Sequence, residues 1–248
     1  VTAAANGLFT RGNTNIKGNL TIDNVAKGYA IISTANKLDI ANLTVTNSVG
    51  KEAIYQKGAT IQVNSANITG RYPEKSGTNS LGIVTAEGGG SLTAKNFTIT
   101  DTGACLYAFM SRNGGTLNVE NATVTGAAIS AEGTSSKVVL SGNNTVKDYD
   151  TNGVHIRNTS TMELAENAVL SISHPGQLNH AEAISLENSA KIDASKATIN
   201  ISDVKGASGY GIRLVGTSRS TSSGILAKNL NISNCDFGFY LINGNLLG

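Results

Sequence analysis

The 248-residue chain has no Trp, only 2 Pro, 2 Cys, 2 Met and 3 His, and only 15% charged residues. Each shortage excludes something. Charged residues stand well below the roughly 25% of an ordinary globular domain. Two cysteines are too few for a disulfide scaffold, and they lack the spacing of metal ligands. The net charge of +2 contains no basic stripe, so nothing suggests nucleic-acid binding. No apolar run approaches the ~20 residues of a membrane helix. No signal peptide is visible, although Val1 to Ala5 would suit a processed start.

What the chain has in plenty is Asn and Gly, 28 of each. Both are poor helix formers. Together with Ser, Thr and β-branched residues they favour strands and tight turns, so a helical bundle or coiled coil is excluded. Few cysteines and a Ser/Thr/Asn-rich skin suit a secreted or surface protein.

A repeat organises the chain. Gly153-Val154-His155-Ile156, Met162-Glu163-Leu164, Asn167 and Leu170-Ser171-Ile172 are matched by Gly211-Ile212-Arg213-Leu214, Ile225-Leu226-Ala227, Asn229 and Leu230-Asn231-Ile232. The order is strand, turn, strand, Asn, strand. An apolar anchor in the first strand recurs at Ile31, Ile54, Ile83, Ala108, Ile129, Val154, Ile184, Ile212 and Phe239, with a mean spacing of about 26. A unit this short cannot bury its own apolar face, whereas stacked units bury a continuous core. Alternation sends Leu43 and Val45 inward, Thr44 and Thr46 outward. The expected fold is therefore all-β: a right-handed parallel β-helix of about nine coils of ~26 residues, three strands per coil, forming one domain over residues 1–248. Asn19, Asn42, Asn67, Asn96, Asn121, Asn144, Asn167 and Asn229 precede third strands. A left-handed turn conformation and an axial amide ladder are expected there.

The pattern Gly-Val-x-Ile, Met-x-Leu, Asn, Leu-x-Ile resembles the pectin-lyase-like β-helices, and most of all the passenger domains of autotransporter adhesins of the pertactin type, over nearly the whole chain. The resemblance implies a bacterial adhesin, extracellular and anchored to the outer membrane by a region outside this chain. It would bind host-cell or matrix glycans or proteins, or neighbouring bacterial cells, without catalysis or cofactor. The last strand has no partners after it and no capping helix is visible, so a continuation beyond Gly248 is expected.

Length variation marks candidate binding loops, since solenoid insertions gather on the binding side. Residues 70–80 bring Arg71, Tyr72, Glu74 and Lys75. Residues 173–181 bring His174, Gln177, Asn179 and His180. On the first strands, His155, Arg157 and Arg213 point outward by alternation, with Glu187 and Tyr240 following, as a polar column able to grip a ligand. Alternatives remain: a polysaccharide lyase or glycoside hydrolase of the same class, or a structural stalk. Cleavage needs converging carboxylates, and Asp39, Glu120, Glu163, Glu187 and Asp193 are scattered.

Other motifs carry less. Asp148 to Gly153 opens like a calcium loop, but its twelfth position is Thr159 where a bidentate Glu is wanted, so it reads as an Asx turn. The Ser-rich stretch 216–224 has no nucleophile elbow. Outward Thr-x-Thr pairs are too irregular for an ice-binding face and express β-propensity. Cys105 and Cys235 fall five coils apart, roughly 24 Å at the strand spacing, beyond disulfide reach.

Overall fold

The computed structural model describes residues 6–34, 36–72, 82–103, 105–176, 180–206, 209–216, 223–242 and the backbone of 245–246. Among them every regular element is a strand, and every strand pairing is parallel. No helix there is long and apolar enough to cross a membrane.

The strands fall into two sheets. The first has ten: β1 (Leu8–Thr10), β3 (Tyr29–Ser33), β5 (Glu52–Lys57), β7 (Gly82–Glu87), β10 (Tyr107–Arg112), β13 (Ala128–Glu132), β16 (Asn152–Arg157), β19 (Ala181–Glu187), β21 (Gly209–Val215) and β23 (Phe237–Ile242), in that spatial order. The second has fourteen: β2 (Thr14–Asp23), β4 (Lys37–Ser48), β6 (Thr60–Gly70), β8 (Ser91–Lys95), β9 (Phe97–Asp101), β11 (Thr116–Glu120), β12 (Thr123–Thr125), β14 (Lys137–Ser141), β15 (Asn143–Lys147), β17 (Thr161–Leu164), β18 (Val169–Ser173), β20 (Lys191–Ser202), β22 (Gly224–Ser233) and β24 (Asn245–Leu246). Two kinds of strand occur in this second sheet. Between β6 and β20 each repeat carries two short strands. β6 pairs both β8 and β9, and β20 pairs both β17 and β18, so the pairing path closes through ten strands. The expected separation of second and third strands thus holds in the middle, while β2, β4, β6, β20 and β22 run through as single long strands.

The inner columns form one continuous apolar cluster from Ile22 to Ile225. Leu43 and Val45 are buried and their Thr neighbours are half-exposed, as alternation requires. The anchor ladder needs correction by one residue in two places. Its register mates are Leu8, Ile31, Ile54, Val84, Phe109, Ile129, Val154, Ile184, Ile212 and Phe239. Ile83 and Ala108 instead occupy the preceding position, shared with Ala30, Ala53, Gly153, Ala183, Gly211 and Gly238. This position is mostly small because the chain is crowded there. A Cβ on Gly211 would lie 2.8 Å from the Gly238 carbonyl and 3.0 Å from the Ile232 Cγ2.

The asparagines also divide. Only Asn96, Asn121 and Asn167 of the expected eight take positive φ, with Gly142 supplying the equivalent turn between them. Left-handed residues mark two further turns: Asn36, Gly58, Gly88, Asn113, Gly133, Asn158 and Asn188 follow first-sheet strands, and Asn24, Asn47, Gly126, Asp148, Asp203 and Asn234 follow third segments. Asn67 lies inside a strand, in register with Thr44 and Thr98. Asn144 faces the core opposite Leu170, and its amide is satisfied there. Its Oδ1 accepts from the Ala122 N–H at 3.1 Å and its Nδ2 donates to the Ser141 carbonyl at 2.9 Å. Amide pairs along the axis survive in segments: Asn42 donates to Asn19 at 3.1 Å and Asn121 to Asn96 at 3.4 Å. Cys105 and Cys235 are not joined by a disulfide, as their separation in the stack requires.

Candidate functional site

The outer face of the ten-stranded sheet brings together charged and aromatic groups that the sequence scatters. Three rows run across the strands. Tyr29, Glu52, Gly82, Tyr107, Ala128, Asn152, Glu182, Tyr210 and Phe237 form the first. Ile32, Tyr55, Thr85, Met110, Ser130, His155, Ser185, Arg213 and Tyr240 form the second. Lys57, Glu87, Arg112, Glu132, Arg157, Glu187, Val215 and Ile242 form the third. First and second rows are three residues apart in each strand except β13, where the register shift opposite Tyr107 leaves Ala128 and Ser130 two apart; elsewhere the residue of the crowded position lies between them.

The third row alternates in sign from Lys57 to Glu187. Register places opposite charges one strand apart, the arrangement that cross-strand pairing favours. Arg112 contacts Glu87 through Nη2 at 2.7 Å and Nε at 3.1 Å, and Arg157 reaches Glu132 at 2.6 Å. Glu87 also accepts from the Tyr55 hydroxyl at 2.8 Å and the Asn113 amide at 3.1 Å. Burial pushes its pKa up, but these donors outweigh burial and hold it below the ordinary glutamate value.

Toward the C-terminal end the rows converge on Arg213. Its Nη1 lies 2.6 Å from Glu187 Oε1 and its Nε 3.4 Å from Glu182 Oε1. Glu182 also pairs with His180 at 2.7 Å and accepts from the Asn152 amide at 2.9 Å. The His155 ring stands beside Glu187, with Nε2 3.8 Å from Oε2, beyond hydrogen-bond length. Its other nitrogen is hydrogen-bonded to the Tyr107 hydroxyl at 3.0 Å. His155 foremost, and then Arg213 against the effect of burial, hold the Glu187 carboxyl down at about 2. Beyond Arg213 the face turns aromatic. Tyr210 packs against Phe237, Tyr240 and His180, with centroids 5.4, 4.9 and 6.1 Å away.

The three strand candidates His155, Arg157 and Arg213 lie on this face, but in two rows instead of one column, and His155 is buried rather than open to a ligand. His155 and Arg213 share the second, Arg157 and Glu187 the third. His180 lies exposed at the edge of the same face. Glu182, with Arg112, Glu132 and Glu87, was missed. Their signal was the sign alternation, readable only once the register is known. On the second sheet Asp39 pairs with Lys37, Glu120 with Lys95 and Glu163 with Lys137, but Glu163 and Asp193, expected to be scattered, are register neighbours on β17 and β20.

No family model, curated protein or solved structure matches this chain significantly.

The loop candidates are placed differently from expectation. Arg71 is exposed and lines an open concavity of about 440 Å³ with Asn47, Val49, Thr69, Thr100 and Thr102. Tyr72 is 1% exposed and belongs to the core, because its ring folds back over Gly70 while its N–H donates to Asp101 at 3.0 Å. It offers no surface to a ligand. His174 is likewise buried, its ring centroid 5.1 Å from that of Tyr149. Neither of its nitrogens has a hydrogen-bond partner, and burial lowers its pKa against the opposing pull of Asp148 and Asp150. Glu74, Lys75, Gln177 and Asn179 lie outside the described residues.

Proposed function

We propose that the chain is a right-handed parallel β-helix acting as a non-catalytic binding domain of an extracellular, cell-surface protein, of the kind found in autotransporter adhesin passenger domains. The support for the winding is the register. Each first-sheet strand pairs with the strand one repeat on, and parallel crossovers are right-handed in about 98% of cases. The closed pairing path then describes two adjoining faces of one tube, joined where long strands span both.

The observation that carries the binding role is the ion-paired outer face of the ten-stranded sheet. Its carboxylates are fixed by arginines, and the pKa values of Glu87 and Glu187 are held below the ordinary glutamate value. A glycosidase acid needs the opposite, a carboxyl held protonated near neutrality. A rigid, paired, partly exposed face suits recognition of a host-cell, matrix or neighbouring-cell ligand through many weak polar contacts, strengthened by multivalent display. His180, in the 173–181 loop, extends that surface, while Arg71, in the 70–80 loop, offers a separate contact beside Thr69, Thr100 and Thr102. A second reading has one observation in its favour: Glu182 and Glu187 meet at Arg213 beside His155, a convergence that a polysaccharide-active enzyme would need.

One experiment separates these. The folded domain is applied to an array of glycans and matrix proteins, and the polysaccharide wells are assayed for released sugar ends. Binding without release is the expected result. Release of sugar ends that is lost on Glu187→Gln establishes the enzyme reading instead.

A further inference from the structure

The geometry points to a recognition site for an uncharged pyranose on the outer face of β19, β21 and β23, an inference that rests on the binding role proposed above. Two kinds of group meet there. Tyr210, Phe237 and Tyr240 form a contiguous aromatic surface, with Phe237 51% and Tyr240 38% exposed. Beside it stand planar hydrogen-bonding groups fixed in place: Arg213, bridging Glu182 and Glu187, and the Asn152 amide on Glu182. Sugars present one apolar face of C–H bonds and a rim of hydroxyls that both donate and accept. An aromatic surface bordered by carboxylates and a guanidinium meets both requirements, and aromatic residues with few rotatable bonds do so at low entropic cost.

A separate observation marks the polar end. His155 is 8% exposed, yet its Nε2 has no hydrogen-bond partner and faces Glu187 across 3.8 Å. A gap of that size between two polar atoms is one that a single oxygen can bridge. A hydroxyl from a neighbouring sugar unit of a longer glycan would donate to Glu187 and accept from His155 Nε2 there.

Charge selects among sugars. Glu182 is buried among its partners, and Glu187 is the accessible carboxylate beside Arg213; it would repel uronates and other acidic sugars, so the site favours neutral ones. The Tyr29–Tyr55 pair at the other end does not qualify. Its rings stack on each other at 5.1 Å, and the Tyr55 hydroxyl is already given to Glu87.

The test is saturation-transfer-difference NMR on the full chain with methyl pyranosides of glucose, galactose, mannose and xylose, and with glucuronic acid as the acidic comparator. Transfer to the ring protons of at least one neutral sugar is expected, with weaker transfer to the acid. Tyr240→Ala and Arg213→Ala should each weaken binding about tenfold or more, and Tyr29→Ala should leave it unchanged. Circular dichroism on each variant verifies that the fold is kept. Transfer to no neutral sugar, or transfer indifferent to both substitutions, overturns the inference. If cell or matrix binding persists in that case, the binding role stands without this site. If the wild-type chain binds neither sugars, cells nor matrix, both fall.

Discussion

Tyr72 sits in a stretch whose composition reads as loop, yet its ring is core. The turn after β6 lets the side chain fold back over Gly70, where a Cβ would lie 2.7 Å from the ring. Replacing it should behave as a core deletion. Tyr72→Ala is expected to cost about 3–5 kcal/mol, read by denaturant unfolding. His174 makes a different point. Its buried ring has unpartnered nitrogens, and its pKa is lowered from 6.5. Below that value the unfolded chain binds the proton first, so stability falls as pH falls. Wild-type Tm should therefore drop between pH 7.5 and 5.5. His174→Phe, which keeps the ring and removes the titration, should flatten that part of the curve. An equal drop in both proteins would remove His174 as the cause. Asn144 adds a third residue. Asn144→Ala strands the buried Ala122 N–H, and a loss of about 1–3 kcal/mol is expected on chemical denaturation.

At the scale of the strand, the inner face was legible and the outer face was not. Apolar residues at a period of two within strands and about 26 between them identify the core columns, and Leu43, Val45, Ile156 and Ile212 fall where that pattern puts them. The outer rows defeat simple alternation. The crowded small position between Glu182 and Ile184, or between Tyr210 and Ile212, leaves two outward side chains three residues apart, so counting by twos misplaces one of them. The same position explains why Ile83 and Ala108 passed for anchors. The loop sites were the least legible, because a polar insertion does not reveal whether its one ring or imidazole turns inward. The charge ladder is testable at this scale. Glu132→Lys removes the Arg157 pair and sets Arg112, Lys and Arg157 side by side. A loss on the order of 1 kcal/mol is expected. In a double-mutant cycle with Arg157→Met, part of that loss should vanish because the repulsion has lost one partner.

For the whole molecule, strand stacking predicts a gradient. Central strands such as β10, β13 and β16 have neighbours on both sides, whereas β23 shows Phe237, Phe239, Leu241 and Ile242 between 41% and 51% exposed. Hydrogen-exchange mass spectrometry should find slowest exchange in the middle and fastest at β1 and β23. Uniform protection would contradict stepwise stacking. Acid should act on the whole stack as well. Glu87 and Glu187 have folded pKa values below 4.5, with Glu187 near 2, so their stabilisation is complete above about pH 4.5 and disappears as pH falls toward 2.

The sign alternation from Lys57 to Glu187 has a consequence for how such a chain can change length. Its electrostatic period is two repeats, although its structural period is one. Deleting or duplicating a single repeat within that span would leave every inner column intact and still bring two like charges together at the seam. Gains and losses of even number preserve the order of charges, and odd ones do not. The ladder therefore gives the stack a parity, and related chains of different length should differ there by pairs of repeats.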